Sequence, residues 1–142
     1  MTQPILQKKI YYHDTDCGGV VYYGNYLKYL EEARTDALEQ IGLSVKKLAD
    51  EDTLFVVRRQ EIDYDAPAVY GETLDIKTRF SKVGKASVEF DYEIRNGDGK
   101  LVTKAKTVMV CVDGKIKAKP IPPPVREKFA ALSRQDKHAQ QT

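Results

Sequence analysis

The stretch YGNYLKYLEEARTDALEQIG, residues 23–42, is the part of the chain from which the fold can be inferred. Its apolar side chains recur at steps of four, three, four and four residues, which is the spacing of one buried helical face: Tyr26, Leu30, Ala33, Ala37 and Ile41. Asn25 is a candidate N-cap, and Gly42 stands where a glycine commonly ends a helix. At about 1.5 Å per residue, the predicted helix from Tyr23 to Ile41 would be roughly 30 Å long.

Downstream of this helix the pattern changes to a period of two, which predicts β-strands. Apolar and charged side chains alternate through Thr73–Ser81 and again through Ser87–Arg95. Further strands are predicted at Leu54–Tyr64 and Leu101–Val112, with a candidate first strand at Ile5–Tyr12. Because short turn sequences join neighbouring strands, the sheet is expected to be antiparallel.

A sheet with one apolar face needs a cover, and the long helix can provide it. We therefore expect an α+β fold in which a curled antiparallel sheet of five or six strands wraps round a central helix. The sixth strand would be Lys115–Lys119. A length of 142 residues argues for a single domain, which we place at residues 1–133, followed by a polar C-terminal tail at residues 134–142.

Composition argues against several classes of function. The chain has 23 Lys and Arg against 21 Asp and Glu, so it does not suit a nucleic-acid binder that works by bulk positive charge. No run is apolar enough to cross a bilayer, and the first residues lack the apolar core of a signal peptide. Two cysteines cannot supply a disulfide framework or a four-cysteine zinc site. We expect a cytoplasmic protein without a transmembrane segment.

Chemically useful groups concentrate in the loop before the helix and in its first turns, residues 11–29. Six of the nine tyrosines and three of the nine glycines lie there, together with a histidine, two aspartates and a cysteine. The first turn of a helix leaves backbone N–H groups unpaired at the positive end of the helix dipole, and an oxyanion is stabilised at such a place. A carboxylate a few residues upstream could act as a nucleophile or general base.

One long motif in this segment resembles that of the hotdog-fold acyl-CoA thioesterases: His13-Asp14-Thr15-Asp16-Cys17-Gly18-Gly19-Val20-Val21-Tyr22-Tyr23-Gly24-Asn25-Tyr26, continued by Tyr29, Glu32, Ala33 and Arg34. The similarity is greatest to the 4-hydroxybenzoyl-CoA thioesterase type, especially the Tol-Pal-associated acyl-CoA thioesterases of bacteria, and spans about Ile5 to Val112. It implies hydrolysis of an acyl-CoA to free acid and coenzyme A without a cofactor. It also implies a homo-oligomer, either a dimer or a tetramer, and leaves acyl carrier protein open as the thiol carrier.

The resemblance implies roles for particular residues. Asp16 matches the catalytic carboxylate, as nucleophile or general base, and the backbone N–H of Tyr23 matches the donor that polarises the thioester carbonyl. Gly19 lies in the turn that shapes this end of the pocket, and some relatives carry histidine where this chain has Tyr23. Because coenzyme A carries phosphates, its binding needs positive charge. The substrate-binding candidates are Arg58, Arg59, Arg79, Lys82 and Lys85.

Several loop residues also have purely structural interpretations. An aspartate beside a glycine, as at Asp16, is typical of an Asx turn, and Asp14 is expected to accept backbone hydrogen bonds. Cys17 would need His13 held by geometry as its base, so we expect a spectator thiol. His13 and the two aspartates make a poor metal site because the other histidine, His138, lies in the tail, and no metal is expected.

Three charged residues of the predicted helix have more than one interpretation. Glu31 or Glu32 would match the catalytic carboxylate of a sister branch of hotdog thioesterases, but both fall outside the apolar stripe, so a solvated or interface face is favoured. Arg34 is expected either to extend its stem along the core or to pair with Asp63 or Asp65.

Two functions besides thioester hydrolysis fit the predicted fold. The first is a non-catalytic binding module for acyl thioesters or acyl carriers, since fold alone does not decide function. Asp16 near the helix start favours the enzyme, because a pure binder does not need a carboxylate beside an oxyanion site. The second is an acyl-thioester dehydratase or hydratase, whose usual histidine pattern this chain does not match.

Overall fold

The computed structural model describes the backbone of residues 4–141 and the side chains of residues 4–134. Its strands are β1 (Ile5–Lys9), β2 (Leu54–Tyr64), β3 (Thr73–Val83), β4 (Ser87–Arg95) and β5 (Leu101–Val112). Its helices are α1 (Asn25–Gln40), α2 (Val45–Asp50) and α3 (Pro123–Gln141), with a short 3₁₀ helix at Tyr12–Asp14. This order of elements confirms the predicted α+β class.

The five strands form one antiparallel sheet in the order β1-β3-β4-β5-β2, so β2 and β1 are its edges. The predicted bounds of β2, β4 and β5 agree with the structure. Strand β1 stops at Lys9 because the chain turns into the 3₁₀ helix. The predicted strand Lys115–Lys119 is reduced to a single bridge at Ala118, since the Asp113 carboxylate takes up the N–H groups of Lys115 and Lys117.

The core lies between α1 and the inward face of the sheet. Helix α1 buries six residues, namely Tyr26, Tyr29, Leu30, Ala33, Ala37 and Leu38. The apolar positions predicted from the period-two pattern all face it: Leu74, Ile76, Thr78 and Phe80 on β3, and Val88, Phe90, Tyr92 and Ile94 on β4. Helix α3 extends this core, because Phe129 packs on Phe80 with 5.1 Å between ring centroids.

The ends of α1 differ in how well the sequence predicts them. Gly42 has φ +83°, and the N–H of Leu43 donates to the Leu38 carbonyl, so the glycine ends the helix as predicted. Asn25 does not cap the helix, because Gly24 occupies the N-cap position and the Asn25 side chain donates to the Asp14 carbonyl at 2.8 Å. The helix therefore begins later than predicted and leaves Tyr23 in the preceding turn.

The C-terminal part of the chain is only partly described. The backbone of α3 continues to Gln141, whereas the side chains beyond Arg134 lie outside the described residues. The backbone of the predicted polar tail, residues 134–142, therefore continues this helix as far as residue 141, and the division of the chain into domain and tail stays a prediction. Among the described helices, none combines the length and hydropathy required to cross a membrane.

Candidate active site

The loop before α1 is folded as a tight hairpin. Thr15 and Val21 form an antiparallel bridge, and the Asp16 N–H donates to the Val20 carbonyl at 2.9 Å. At the tip, the N–H of Gly19 donates back to the Asp16 carbonyl at 3.0 Å with φ +80°, a conformation that favours glycine. Val20 bridges Val69, so the hairpin is also fixed to the segment between β2 and β3.

Asp14 fastens this hairpin to the start of α1. Its side chain is buried, and its Oδ2 accepts the Tyr11 N–H at 2.9 Å. Its carbonyl accepts the Tyr22 N–H at 3.0 Å and the Asn25 Nδ2 at 2.8 Å. One residue therefore joins the chain before the 3₁₀ helix to the first turn of α1, which confirms that Asp14 accepts backbone hydrogen bonds.

The Asp14 carboxyl is kept ionised by its surroundings. Burial works against the charge, but the Tyr11 N–H, the Tyr29 hydroxyl and the charges of His13 and Lys8 outweigh it and lower the pKa. The Tyr29 hydroxyl lies beside the carboxylate without the geometry of a full hydrogen bond, and burial together with Asp14 raises its own pKa. The Asp14 carboxylate is thus occupied by structural contacts.

Unlike Asp14, Asp16 is not buried, and its carboxylate is only partly used in structural contacts. It is exposed, and its Oδ1 accepts the Gly18 N–H at 2.8 Å, so the Asx turn predicted for it is present. Its Oδ2 accepts no hydrogen bond from the described residues. One carboxylate oxygen therefore fixes the turn while the other stays open to an incoming group, and the structural and chemical interpretations of Asp16 are compatible.

Two backbone donors are left free where the loop enters α1. The N–H of Tyr22 donates to Asp14, that of Asn25 to the Tyr22 carbonyl and that of Tyr26 to the Tyr23 carbonyl. Within the described residues, no acceptor engages the N–H of Tyr23 or Gly24. They lie at the positive end of the 16-residue helix, where an oxyanion is stabilised.

Tyrosine side chains form a wall beside these donors. The rings of Tyr22 and Tyr23 lie 4.7 Å apart, and Tyr64 at the end of β2 lies 6.2 Å from Tyr23 and 5.5 Å from Tyr26. The Tyr64 hydroxyl donates to the Tyr23 carbonyl at 3.4 Å. Tyr64 was not a sequence-based candidate, because its contact with the loop depends on how β2 is placed in the sheet.

The cationic candidates lie away from this loop within one chain. Lys9 of β1 pairs with Thr73, so the hairpin is near the start of β3, whereas Lys82 is near its end. At about 3.3 Å per residue, the length of β3 separates them by roughly 30 Å. Lys85 lies in the turn after β3, and Arg79 is on the outer face of the sheet, where it pairs with Asp91 at 3.4 Å.

Arg58 and Arg59 lie in the middle of the edge strand β2. The register shifts between Val57 and Arg59, which leaves Arg58 at a bulge, and Arg59 pairs with Glu61. Both arginines are exposed. The described chain therefore does not gather the five cationic candidates around Asp16.

The structure also defines the contacts of the charged residues on α1. Glu32 pairs with Lys8 at 3.4 Å, and Glu31 is exposed. In the described structure Arg34 forms no ion pair with Asp63 or Asp65, and its Nη1 instead donates to the Tyr92 hydroxyl at 3.3 Å. Asp63 cannot reach it, since that residue lines the charged outer face of the sheet.

The positions of Cys17 and His13 in this loop bear on the hypotheses of a cysteine nucleophile and of a metal site. Cys17 and His13 are both exposed, and the His13 Nδ1 lies 3.7 Å from the Asp14 Oδ1 rather than at the thiol. Across the described side chains, no three His, Cys, Asp or Glu residues are grouped closely enough to hold a metal ion.

A cavity of about 350 Å³ lies under the second half of α1. Leu38, Phe55, Phe90 and Met109 contribute to its apolar walls, and Glu31, Arg34 and Thr35 contribute polar groups. Leu54 and Val57 place one side of the cavity at the edge strand β2. Nothing in the local sequence pattern predicts this cavity, because its walls come from α1, α2, α3 and three strands.

Comparison with known proteins gives one consistent result. Residues 11–129 match the thioesterase-like superfamily. The chain is 36% identical over 122 residues to acyl-CoA thioester hydrolase YbgC of Escherichia coli O6:H1, a match that covers 85% of this chain and 91% of that protein. It is 36% identical over 126 residues to acyl-CoA thioesterase YbgC of Haemophilus influenzae, covering 87% and 92%. The structure of a DHNA-CoA thioesterase from Staphylococcus aureus superposes with a TM-score of 0.91 at 25% identity, covering 98% and 96%.

Proposed function

This chain belongs to the thioesterase-like superfamily and has the hotdog fold, and on that basis we propose that it hydrolyses the thioester of an acyl-CoA to a free acid and coenzyme A. Relatives that match along most of the chain are named acyl-CoA thioester hydrolases, so the chain is a thioester hydrolase. The observation that carries the proposed mechanism is the open carboxylate oxygen of Asp16, in a hairpin that leads directly to free N–H groups at the start of α1.

In this proposal the substrate carbonyl oxygen binds the Tyr23 N–H. Negative charge develops on that oxygen in the transition state, so a preorganised donor at a helix start lowers the barrier. Asp16 either attacks the carbonyl carbon, forming a mixed anhydride and expelling the coenzyme A thiolate, or removes a proton from the attacking water. In the first route water then cleaves the anhydride. The Tyr23 contribution comes from the backbone and does not require histidine at this position.

The edge strand β2 supports a homo-oligomer. An edge strand with open backbone groups pairs readily with a second copy, and a two-fold axis makes such pairing antiparallel. With an axis near Arg59, the Tyr64 end of one chain meets the Leu54 end of the other. The Asp16 hairpin of one chain then lies beside the cavity of its partner. We propose a dimer of this kind, with a tetramer as its further assembly.

The same arrangement gives the cationic candidates a role. Lys82, near the end of β3, and Lys85, in the turn that follows, are at the Leu54 end of the sheet, because Val57 is in register with Met109, Val88 and Val83. Across a dimer this end approaches the partner's Asp16 hairpin. We propose that Lys82 and Lys85, with Arg58, Arg59 and Arg79 as the other candidates, bind the phosphates of coenzyme A. An acyl carrier protein remains an alternative source of the thioester.

We propose a cytoplasmic location for the enzyme. Cys17 and Cys111 are both free in the described structure, which is the usual state of thiols in a reducing compartment. No cofactor takes part in the proposed chemistry, since the nucleophile or base, the oxyanion donor and water suffice.

The decisive experiment compares Asp16→Asn with Asp113→Asn on acyl-CoAs with short, long and benzoyl acyl groups, by release of free thiol. Asparagine can still accept the turn hydrogen bond, so Asp16→Asn removes the charge with the hairpin intact. Asp113 is the matched control, because its Oδ1 also accepts turn N–H groups, at 2.8 and 3.0 Å. We expect Asp16→Asn to lose at least about a hundredfold in kcat, roughly 2.7 kcal/mol of barrier, and the control to lose little.

Different outcomes would assign the activity differently. If Asp16→Asn retains full activity and Glu31→Gln or Glu32→Gln does not, the carboxylate on the helix is the catalyst. If wild-type protein binds acyl-CoA without hydrolysing any member of the panel, the chain is a binding module. Sedimentation of the wild-type protein as a monomer at working concentration would exclude the two-fold site.

A further inference from the structure

Asn25 is the first residue of α1, but its side chain does not cap the helix. Gly24 occupies the N-cap position, and no side-chain cap bond is formed there. The Asn25 amide instead reaches back along the chain, where its Nδ2 donates to the Asp14 carbonyl at 2.8 Å. The amide must have this orientation, because an asparagine Oδ1 is only an acceptor and would repel a carbonyl oxygen. Asn25 is therefore used to hold a loop residue 11 positions upstream.

The hydrogen bond from Asn25 closes a ring of three. The Asp14 carbonyl also accepts the Tyr22 N–H at 3.0 Å, so it would be satisfied without the Asn25 side chain. The Tyr22 carbonyl in turn accepts the backbone N–H of Asn25 at 2.9 Å. Asn25, which is half-buried, thus supplies two of the three donors in the ring. Such a ring restricts the movement of each residue in it.

The ring determines where the Tyr23 N–H points. The Tyr22 carbonyl and the Tyr23 N–H belong to one planar trans peptide group, so they point in opposite directions. Because the carbonyl is held by the Asn25 N–H, the direction of the Tyr23 N–H is fixed as well. The ring also includes Asp14, whose Cα is at most about 7 Å from that of Asp16, two residues later. The free N–H and the Asp16 hairpin are therefore tied together through Asn25.

We propose that Asn25 is a positioning residue for thioester hydrolysis, which holds the Tyr23 N–H in a fixed direction and at a fixed distance from the Asp16 carboxylate. This inference rests on the proposed function, in which those two groups act on the thioester. Asn25 touches neither reacting group and acts through the Asp14 carbonyl and the Tyr22 peptide. A donor that is already in place needs no reorganisation as charge develops on the substrate oxygen. A misplacement of about 1 Å can cost on the order of a hundredfold in rate.

A purely stabilising role accounts less well for Asn25. Asparagine favours the N-cap over the helix itself, because at the cap its side chain accepts an N–H of the first turn. Ser44 is an ordinary example in this chain, since it caps α2 by accepting the Lys47 N–H at 3.2 Å. Asn25 lies one position beyond the N-cap and makes no such bond. Its side chain contributes instead to the connection between the hairpin and the turn that carries the free donor.

Exchange of one substrate atom tests this positioning. We would measure kcat and KM for the acyl-CoA that the wild type hydrolyses fastest, and for its analogue with sulfur in place of the carbonyl oxygen. Sulfur is a weak hydrogen-bond acceptor, so the oxygen-to-sulfur ratio of kcat depends on the donor that binds this atom. We expect Asn25→Ala to lower kcat for the oxygen substrate about tenfold or more, with KM within about threefold of wild type. The oxygen-to-sulfur ratio should fall about fivefold.

Further variants separate positioning from stability. Asn25→Asp keeps the shape of the side chain but, when ionised, cannot donate, so it should lower the ratio as Asn25→Ala does. Ser44→Ala is the matched control, because it removes a side-chain hydrogen bond at the start of another helix; it should lower stability and leave the ratio unchanged. If Asn25 only stabilises the fold, its variants will behave like Ser44→Ala, and the unchanged ratio would overturn the proposal.

Tyr64→Phe provides a graded comparison. The Tyr64 hydroxyl donates to the Tyr23 carbonyl, on the other side of the same turn, through a longer bond of 3.4 Å. Phenylalanine keeps the ring and removes this bond. We expect the oxygen-to-sulfur ratio to change by less than about threefold in Tyr64→Phe, which is less than in Asn25→Ala. A larger effect of Tyr64→Phe would assign the positioning to the end of β2 and contradict the role of Asn25.

Relaxation of the backbone ¹⁵N nuclei in the substrate-free protein separates this inference from the proposed activity. The order parameter of the Tyr23 N–H should fall from about 0.85 in the wild type to below about 0.6 in Asn25→Ala, while that of Leu30 in the middle of α1 stays high. If the wild type hydrolyses no acyl-CoA and the Tyr23 N–H is loosened in the variant, the proposed function fails and the positioning by Asn25 stands. If hydrolysis proceeds normally and this N–H stays rigid in Asn25→Ala, the positioning fails alone.

Discussion

Asp14 is expected to be the polar side chain on which the active-site loop depends most for stability. It is 5% exposed, and its ionised carboxylate accepts the Tyr11 N–H at 2.9 Å. A hydrogen bond to a charged acceptor is worth about 1.5–3 kcal/mol. Asp14→Ala also leaves the Tyr11 N–H unpaired, so it should lower the free energy of unfolding by about 2–3 kcal/mol. Asp14→Asn keeps an acceptor and should cost about 1 kcal/mol.

The stabilising effect of the Asp14 charge should depend on pH in a direction set by the shift of its pKa. The pKa of Asp14 is lower in the folded protein than in the unfolded chain, so its stabilising contribution is present above the unfolded pKa. That contribution disappears as the pH falls through the folded pKa. The stability difference between wild type and Asp14→Asn should therefore be largest near neutral pH and vanish in strong acid.

Urea unfolding followed by far-UV circular dichroism is a suitable assay, because the chain has no tryptophan. Protein concentration must be held constant, since oligomerisation contributes to apparent stability. Asp113→Asn, at an exposed turn, is the control and should change stability by less than about 0.5 kcal/mol. The reasoning is refuted if Asp14→Asn matches wild type at pH 7, or if its deficit is the same in acid.

Gly42→Ala should lower the unfolding free energy by about 1 kcal/mol, because φ is +83° there; Gly97→Ala, which has open space and no positive φ, should have a much smaller effect in the same urea titration. Phe129→Ala should cost about 3–5 kcal/mol, since the ring is 1% exposed and packed against the sheet; a loss below 1 kcal/mol in calorimetry would contradict this packing. Cys17→Ser should keep kcat within about twofold of wild type, because the exposed thiol has no base; a large loss in the thiol-release assay would revive a cysteine nucleophile.

The parts of the fold that the sequence predicts well are those determined by neighbouring residues. Alternation along β3 and β4 identifies the buried face correctly because a strand between two others must turn every second side chain toward the core. Gly42 is predictable for the same kind of reason, since the backbone conformation at a helix end is a local property. The short strand Lys115–Lys119 fails because the Asp113 side chain competes for backbone N–H groups that the periodicity treats as free.

What the sequence does not predict depends on contacts between distant segments. Arg34 lies within reach of several acceptors in principle, and only the packing of α1 on β4 selects Tyr92. The separation of Lys82 from the Asp16 hairpin follows from the register of β3, which residue spacing does not reveal. The cavity requires six elements to meet, so no single segment carries a signal for it.

The two aspartates of the loop show how one short segment combines rigidity with an open reactive group. Asp14 is buried, and its carboxylate and carbonyl are used to fasten the hairpin to α1. Because that connection does not involve Asp16, only one oxygen of Asp16 is needed for the turn, and the other is left for chemistry. The free N–H groups at Tyr23 and Gly24 are held by the same contacts of Asp14. Loss of Asp14 should therefore lower kcat as well as stability, whereas Asp16→Asn, which keeps the turn hydrogen bond, should lower kcat alone.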